Sequence, residues 1–146
     1  MSADAADPAD LQRRIVAFVR AFGLHQPDET PCGAPVPVSE AHALAVLAGD
    51  GGLSQTELGA RLRLGKSTVS RLVDQLERRG WARREVGGSD ARRRTVLLTA
   101  AGRMAADEIG GRRATRMAGL LDRIPERDRP TVMAALDALV EAARDD

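Results

Sequence analysis

The sequence predicts a mainly α (α+β) fold in which helices at both ends carry a small middle unit. Three observations predict it. Apolar residues make up 43% of the chain but aromatic ones only 2%, so Leu, Val, Ile and Ala must fill the core, and Leu and Ala favour helices. Apolar side chains recur at helical spacing near both termini. Between them, Leu53 to Thr99 reads as two short helices, a turn and an arginine-rich two-stranded hairpin. At 146 residues the chain is most simply one domain with an added oligomerisation part.

Residues 1–7 are small and acidic and are expected to fray. Pro8 suits a first helical turn. Leu11, Ile15, Phe18, Val19 and Phe22 then form one stripe, ended by Gly23,. A stripe so continuous at a chain end needs a cover, and a second subunit is the expected one. Residues 24–38 contain Pro27, Pro31, Pro35 and Pro37, which exclude regular helix. Cys32 lies in this loop, His25 at its start and His42 just after it, so the only thiol and both imidazoles fall within eighteen residues. Transition metals take such ligands, which makes His25, Cys32 and His42 the candidate metal ligands and Cys32 a candidate redox sensor. The spacing matches no compact metal motif. The bland alternative is a solvent-facing proline loop with an incidental thiol. A single cysteine excludes an internal disulfide framework.

Ser39 is the expected N-cap of a helix running to about Ala48, with Ala41, Leu44, Ala45, Leu47 and Ala48 inside,. The next helix has a fuller start signal. Ser54 and Glu57 have capping-box spacing, and Leu53 and Leu58 have that of a hydrophobic staple,. After a turn at residues 63–65, a helix is expected from Lys66 to Arg79. Val69, Leu72, Val73 and Leu76 form its narrow apolar face,. Lys66, Ser67, Ser70, Arg71 and Asp74 lie opposite, flanked by Thr68 and Gln75. A face so rich in donors and free of bulky apolar groups can enter a major groove, where Arg pairs with guanine and Gln with adenine.

Gly80 is the expected helix stop. Trp81–Val86 and Arg94–Leu98 read as strands of a hairpin carrying Arg83, Arg84, Arg92, Arg93 and Arg94,. An arginine on a thin β-tip fits the narrow minor groove. Asp90, two residues before Arg92, is expected to pair with it and set its direction. Net charge is only +1, yet Arg61 to Arg94 holds eleven basic and four acidic residues. A basic middle between acidic ends is the footprint of a polyanion-binding face.

Thr99 caps a long helix expected from Ala100 to Ile124, in which Gly110-Gly111 could bend the axis or admit another helix,. Pro125 breaks it. A last helix, Arg127 to Ala143, carries Val132, Met133, Leu136, Leu139 and Val140 as a stripe. The first and last helices are expected to pack together across a two-fold axis. There is no basic start followed by an apolar run, and no stretch of roughly 20 apolar residues, so a cytoplasmic location is expected.

The stretch LSQTELGARLRLGKSTVSRLVDQLERRGWARREVGGSDARRRTVLLTAAGR resembles the MarR family of bacterial transcription regulators. The resemblance rests on GKSTVSRLVDQLERRGW, on Asp90-x-Arg92 and on Leu98-Thr99-x-x-Gly102, and is close from Ser39 to Arg103. It implies a winged helix-turn-helix with N- and C-terminal dimerisation helices, in a triangular homodimer. Residues 39–99 would be the DNA-binding domain, and residues 1–38 and 100–146 the dimerisation region. It places recognition contacts at Ser67, Thr68, Ser70 and Arg71, and the wing arginine at Arg92, oriented by Asp90. Lys66, Gln75, Arg84, Arg93 and Arg94 complete the expected DNA-binding set. The implied function is repression at a pseudo-palindromic operator, relieved by a small anionic or phenolic effector, by metal or by thiol oxidation.

Other classes fit less well. No nucleophile elbow, phosphate-binding glycine loop or paired helical histidines are present, so no enzyme is expected. A protein-interaction module without its own operator would show aromatic or aliphatic anchors, not a polar face and basic hairpin. The expected partners are double-stranded DNA, a second copy of the chain and a small-molecule effector or transition metal, with no membrane.

Overall fold

A computed structural model describes residues 6–86 and 94–144. Six helices and three short strands follow the order α1 (Pro8–Phe22), α2 (Val38–Asp50), β1 (Leu53–Ser54), α3 (Gln55–Leu62), α4 (Lys66–Arg78), β2 (Ala82–Val86), β3 (Arg94–Leu98), α5 (Ala100–Arg123) and α6 (Arg129–Arg144). No described helix is long and apolar enough to cross a membrane.

The core sits under the middle unit. Leu44, Leu58, Val69, Val73, Leu76 and Val96 are its most buried large side chains. They come from α2, α3, α4 and β3, so the two short helices and the hairpin share one interior. The Ser54–Glu57 capping box forms in both directions: Glu57 N donates to Ser54 Oγ at 3.1 Å, and Ser54 N donates to Glu57 Oε2 at 3.4 Å. Leu53 and Leu58 are both buried. The turn into α4 passes through Arg63 in the left-handed region, φ 54°. A Cβ on Gly59 would stand 3.1 Å from both Leu64 O and Val69 Cγ2, so glycine lets α3 and α4 cross closely.

β2 and β3 pair antiparallel from Ala82–Leu98 to Val86–Arg94, as the hairpin reading requires. A third strand was not legible: Leu53 and Ser54 pair with Val96 and Thr95, which gives the sheet order β1-β3-β2. Two residues are too few for period-2 patterning, and capping chemistry masks them.

The joint between hairpin and α5 explains Leu98-Thr99-x-x-Gly102. Thr99 Oγ1 donates to Gly80 O at 2.6 Å and accepts from Gly102 N at 3.0 Å, while Thr99 N donates to Trp81 O at 3.0 Å. A Cβ on Gly102 would lie 1.9 Å from that same Trp81 oxygen. Only glycine fits there without a backbone shift.

Several boundaries and faces differ from expectation. α2 starts at Val38 with Pro37 as its cap residue and no side-chain cap hydrogen bond, so Ser39 lies inside the helix. Its buried face is Glu40, Ala41, Ala43, Leu44 and Leu47, and Ala45 and Ala48 are exposed. Glu40 can be buried because Arg79 donates to both its carboxylate oxygens, each at 3.0 Å. α5 runs unbroken through Gly110-Gly111, and among the described residues nothing beyond the adjoining turns of α5 itself lies within 4 Å of a Cβ built on either. A 3-10 turn at Glu126–Asp128 precedes α6, which starts at Arg129.

The proline-rich connection is packed rather than solvent-facing throughout. Thr30, Ala34 and Val36 are buried, Ala34 N donates to Thr30 Oγ1 at 3.1 Å, and Arg112 of α5 donates to Gly33 O at 3.0 Å. By contrast, α1 and α6 have no buried residue. Their stripes, including Leu11, Ile15 and Phe18 on α1 and Leu136, Leu139 and Val140 on α6, are exposed in the single chain.

Candidate nucleic-acid interface

α4 presents the expected face. Val69, Leu72, Val73 and Leu76 are buried. Lys66, Ser67, Thr68, Arg71 and Gln75 are exposed, and Ser70 is half-buried. Five exposed polar side chains thus lie on a helix whose apolar edge is buried. Arg94 is exposed at the start of β3. Asp90, Arg92 and Arg93 lie outside the described residues.

Arg84 is placed differently from expectation. Its side chain is only 16% exposed. Nε donates to Gln55 Oε1 at 2.7 Å and Nη2 to Ser70 O at 3.2 Å. Nη1 lies 2.8 Å from Asp74 Oδ1 and also meets Glu77 Oε1. A β2 side chain on this face points back at α4, and two carboxylates there draw the guanidinium inward. Arg83, on the other face, is exposed and pairs with Glu85 at 2.9 Å.

The metal-ligand expectation is corrected. Among the described residues no three His, Cys, Asp or Glu side chains stand close enough to hold a metal ion. Cys32 and His42 line one cavity, whereas the His25 ring lies 3.4 Å from Gln26 Nε2. Sequence proximity failed because the intervening loop folds on itself: Cys32 Sγ lies 2.8 Å from Thr30 Oγ1, and His25 is exposed before that fold begins.

That cavity, about 140 Å³, lies between α1, the connecting loop, α2 and α5, and is lined in part by Phe22, Cys32, His42, Arg113, Arg116 and Met117. Arg116 Nε is buried with no hydrogen-bond partner among the described residues, and its guanidinium stands 5.5 Å from the centre of the Phe22 ring. Burial pushes the His42 pKa down from its ordinary value of 6.5, and the Arg113 charge lowers it further. The sequence reading missed both arginines. Their i,i+3 spacing on a helix was the available signal.

The architecture recurs in solved structures. FabT of Streptococcus pneumoniae, in complex with DNA, is 17% identical and superposes with a TM-score of 0.80, over 95% of this chain and 99% of that one. PcaV of Streptomyces coelicolor, in complex with its natural ligand, is 24% identical with a TM-score of 0.70, over 98% and 99%. A MarR-like transcriptional regulator of Thermotoga maritima is 26% identical with a TM-score of 0.66, over 95% and 98%. The sequence profile of the MarR family matches residues 34–93.

Over residues 34–93 the chain is similar in sequence to the MarR family, and its fold is that of a MarR-like regulator. The matched segment runs from the buried end of the connecting loop through α2, α3, α4 and β2, so it contains the exposed α4 face. The structural likeness extends over α1, α5 and α6 as well, giving a winged helix-turn-helix flanked by terminal helices. No curated protein sequence matches the chain.

Proposed function

We propose that this chain is a MarR-family transcription regulator that binds a pseudo-palindromic operator as a homodimer and represses from it. Residues 39–99 form the DNA-binding domain, and residues 1–38 and 100–146 bring two copies together. The observation that carries this reading is the exposed α4 face, Lys66, Ser67, Thr68, Arg71 and Gln75, above a fully buried apolar edge. Arg71 and Gln75 reach base edges, Ser67, Thr68 and Ser70 adapt to bases or phosphates, and Lys66 neutralises phosphate. Arg94, exposed at the start of β3, follows the adjacent minor groove,. Exposed stripes on α1 and α6 support the dimer, and two-fold symmetry then sets two α4 helices about one DNA turn, roughly 34 Å, apart.

The effector is a small aromatic carboxylate held in the lateral cavity. Arg116 Nε has no hydrogen-bond partner among the described residues, Arg113 supplies a second cation, and Phe22 and Met117 offer an apolar wall. A metal effector has no assembled ligand set among the described residues.

A gel shift with a duplex enriched from a random pool tests the reading. The expected complex contains two chains per duplex and dissociates steeply with salt. Failure of the chain to enrich any sequence would overturn it.

A further inference from the structure

We infer that Arg84 is a positioning residue for DNA reading: it locks the hairpin onto α4 and does not itself touch DNA. The inference rests on the DNA-binding reading of α4 given above.

The guanidinium bridges three elements. From β2 it reaches Gln55 Oε1 in the first turn of α3 at 2.7 Å, and on α4 it meets Ser70 O at 3.2 Å, Asp74 Oδ1 at 2.8 Å and Glu77 Oε1. These acceptors engage Nε, Nη1 and Nη2 together, which a planar fork can do and a lysine ammonium cannot. At 16% exposure the group has little surface left for a phosphate.

Two consequences follow for reading DNA. Asp74 and Glu77 sit three residues apart on α4, on or beside the face assigned to DNA. Left free, they would repel phosphates; Arg84 holds both. The second consequence is geometric. Ser70, whose carbonyl Arg84 holds, directly precedes Arg71. Arg84 is also in register with Val96 on β3, two residues from Arg94. One side chain therefore fixes the hairpin relative to the base-reading residues.

The test compares Arg84→Met, Asp74→Asn/Glu77→Gln and the triple variant with the wild type. Each is titrated with the duplex enriched by the wild-type chain, and each is melted without DNA. Arg84→Met is expected to lose more than roughly tenfold in affinity, as for a charged hydrogen-bonding group removed from its partners. Asp74→Asn/Glu77→Gln should give no gain in the wild-type background but recover most of the loss in the Arg84→Met background. The triple variant should keep the wild-type dependence of affinity on salt. Equal gains in both backgrounds, or a salt slope reduced by about one, would make Arg84 a phosphate contact and overturn the inference. A lower melting temperature with unchanged affinity of the folded protein would reduce it to a structural residue and also overturn it. Failure of the wild type to enrich any duplex would instead strike the DNA-binding reading. The melting data then judge the lock by themselves, since additive effects of the two substitution sets would show that it does not exist.

Discussion

At the residue scale, some side chains are held by partners within one helical turn and others by partners far away in the chain. Ser54 and Glu57 could be paired from spacing because their contact is local. Arg84 reads as one more hairpin arginine, because its partners include Gln55, 29 residues away, and no local pattern reports that. Glu40 is the same case. It sits in the first turn of α2 with no local pattern to mark it as buried, yet it is buried against Arg79, whose guanidinium also lies 5.0 Å from the centre of the Trp81 ring. Glu40→Ala should lower stability by about 2 kcal/mol in chemical denaturation, less than for a fully buried pair because Arg79 is partly exposed. His42 predicts a pH response. Its folded-state pKa lies below the unfolded one, so folding favours the neutral ring. That contribution is complete above pH 6.5 and is lost as pH falls through 6.5 toward the folded value. Melting temperature should therefore drop on acidification through this window, and His42→Gln should flatten part of the slope.

At the element scale, helices and hairpin emerged from periodicity, and the surprises lie where elements meet. Helical spacing located α4 and its buried edge, and the β2 and β3 runs needed only their turn signals. The third strand and the packed connecting loop depend on tertiary pairing, which spacing does not encode. Gly102 shows how a motif can be recognised before its reason is seen. It looked like part of a helix start, and its reason is the Trp81 carbonyl at the hairpin root. Gly102→Ala should cost about 3 kcal/mol in denaturant melts, through forced separation of α5 from the hairpin. Ser54→Ala should cost only about 1 kcal/mol, the worth of an N-cap. Equal losses for the two would contradict the close-approach account.

At the scale of the whole molecule, the single chain leaves two features unfinished. α1 and α6 expose their apolar stripes, and a groove of about 340 Å³ between α5 and α6 is lined almost wholly by apolar side chains such as Leu120, Leu121, Ile124 and Val132. The account predicts a dimer in sedimentation equilibrium, and Leu136→Glu/Val140→Glu should shift it to monomer and abolish operator binding. The second feature is the lateral cavity, whose residues come from α1, the loop, α2 and α5 and so could not be assembled from the sequence alone. An aromatic carboxylate at a hundredfold its Kd should stabilise the protein by about 2.7 kcal/mol. Arg116→Met should remove that gain in thermal melts while leaving the unliganded fold intact.

The proposed function stands or falls with the exposed face of α4 as the reader of DNA sequence. The most direct measurement is fluorescence anisotropy of the enriched duplex and a scrambled duplex, with the wild type and the Ser67→Ala/Thr68→Ala/Arg71→Ala/Gln75→Ala variant at one fixed salt concentration. The account predicts that the wild type prefers the enriched duplex by at least roughly a thousandfold and that the variant, still folded, binds both duplexes about equally. An undiminished preference in the variant would contradict it.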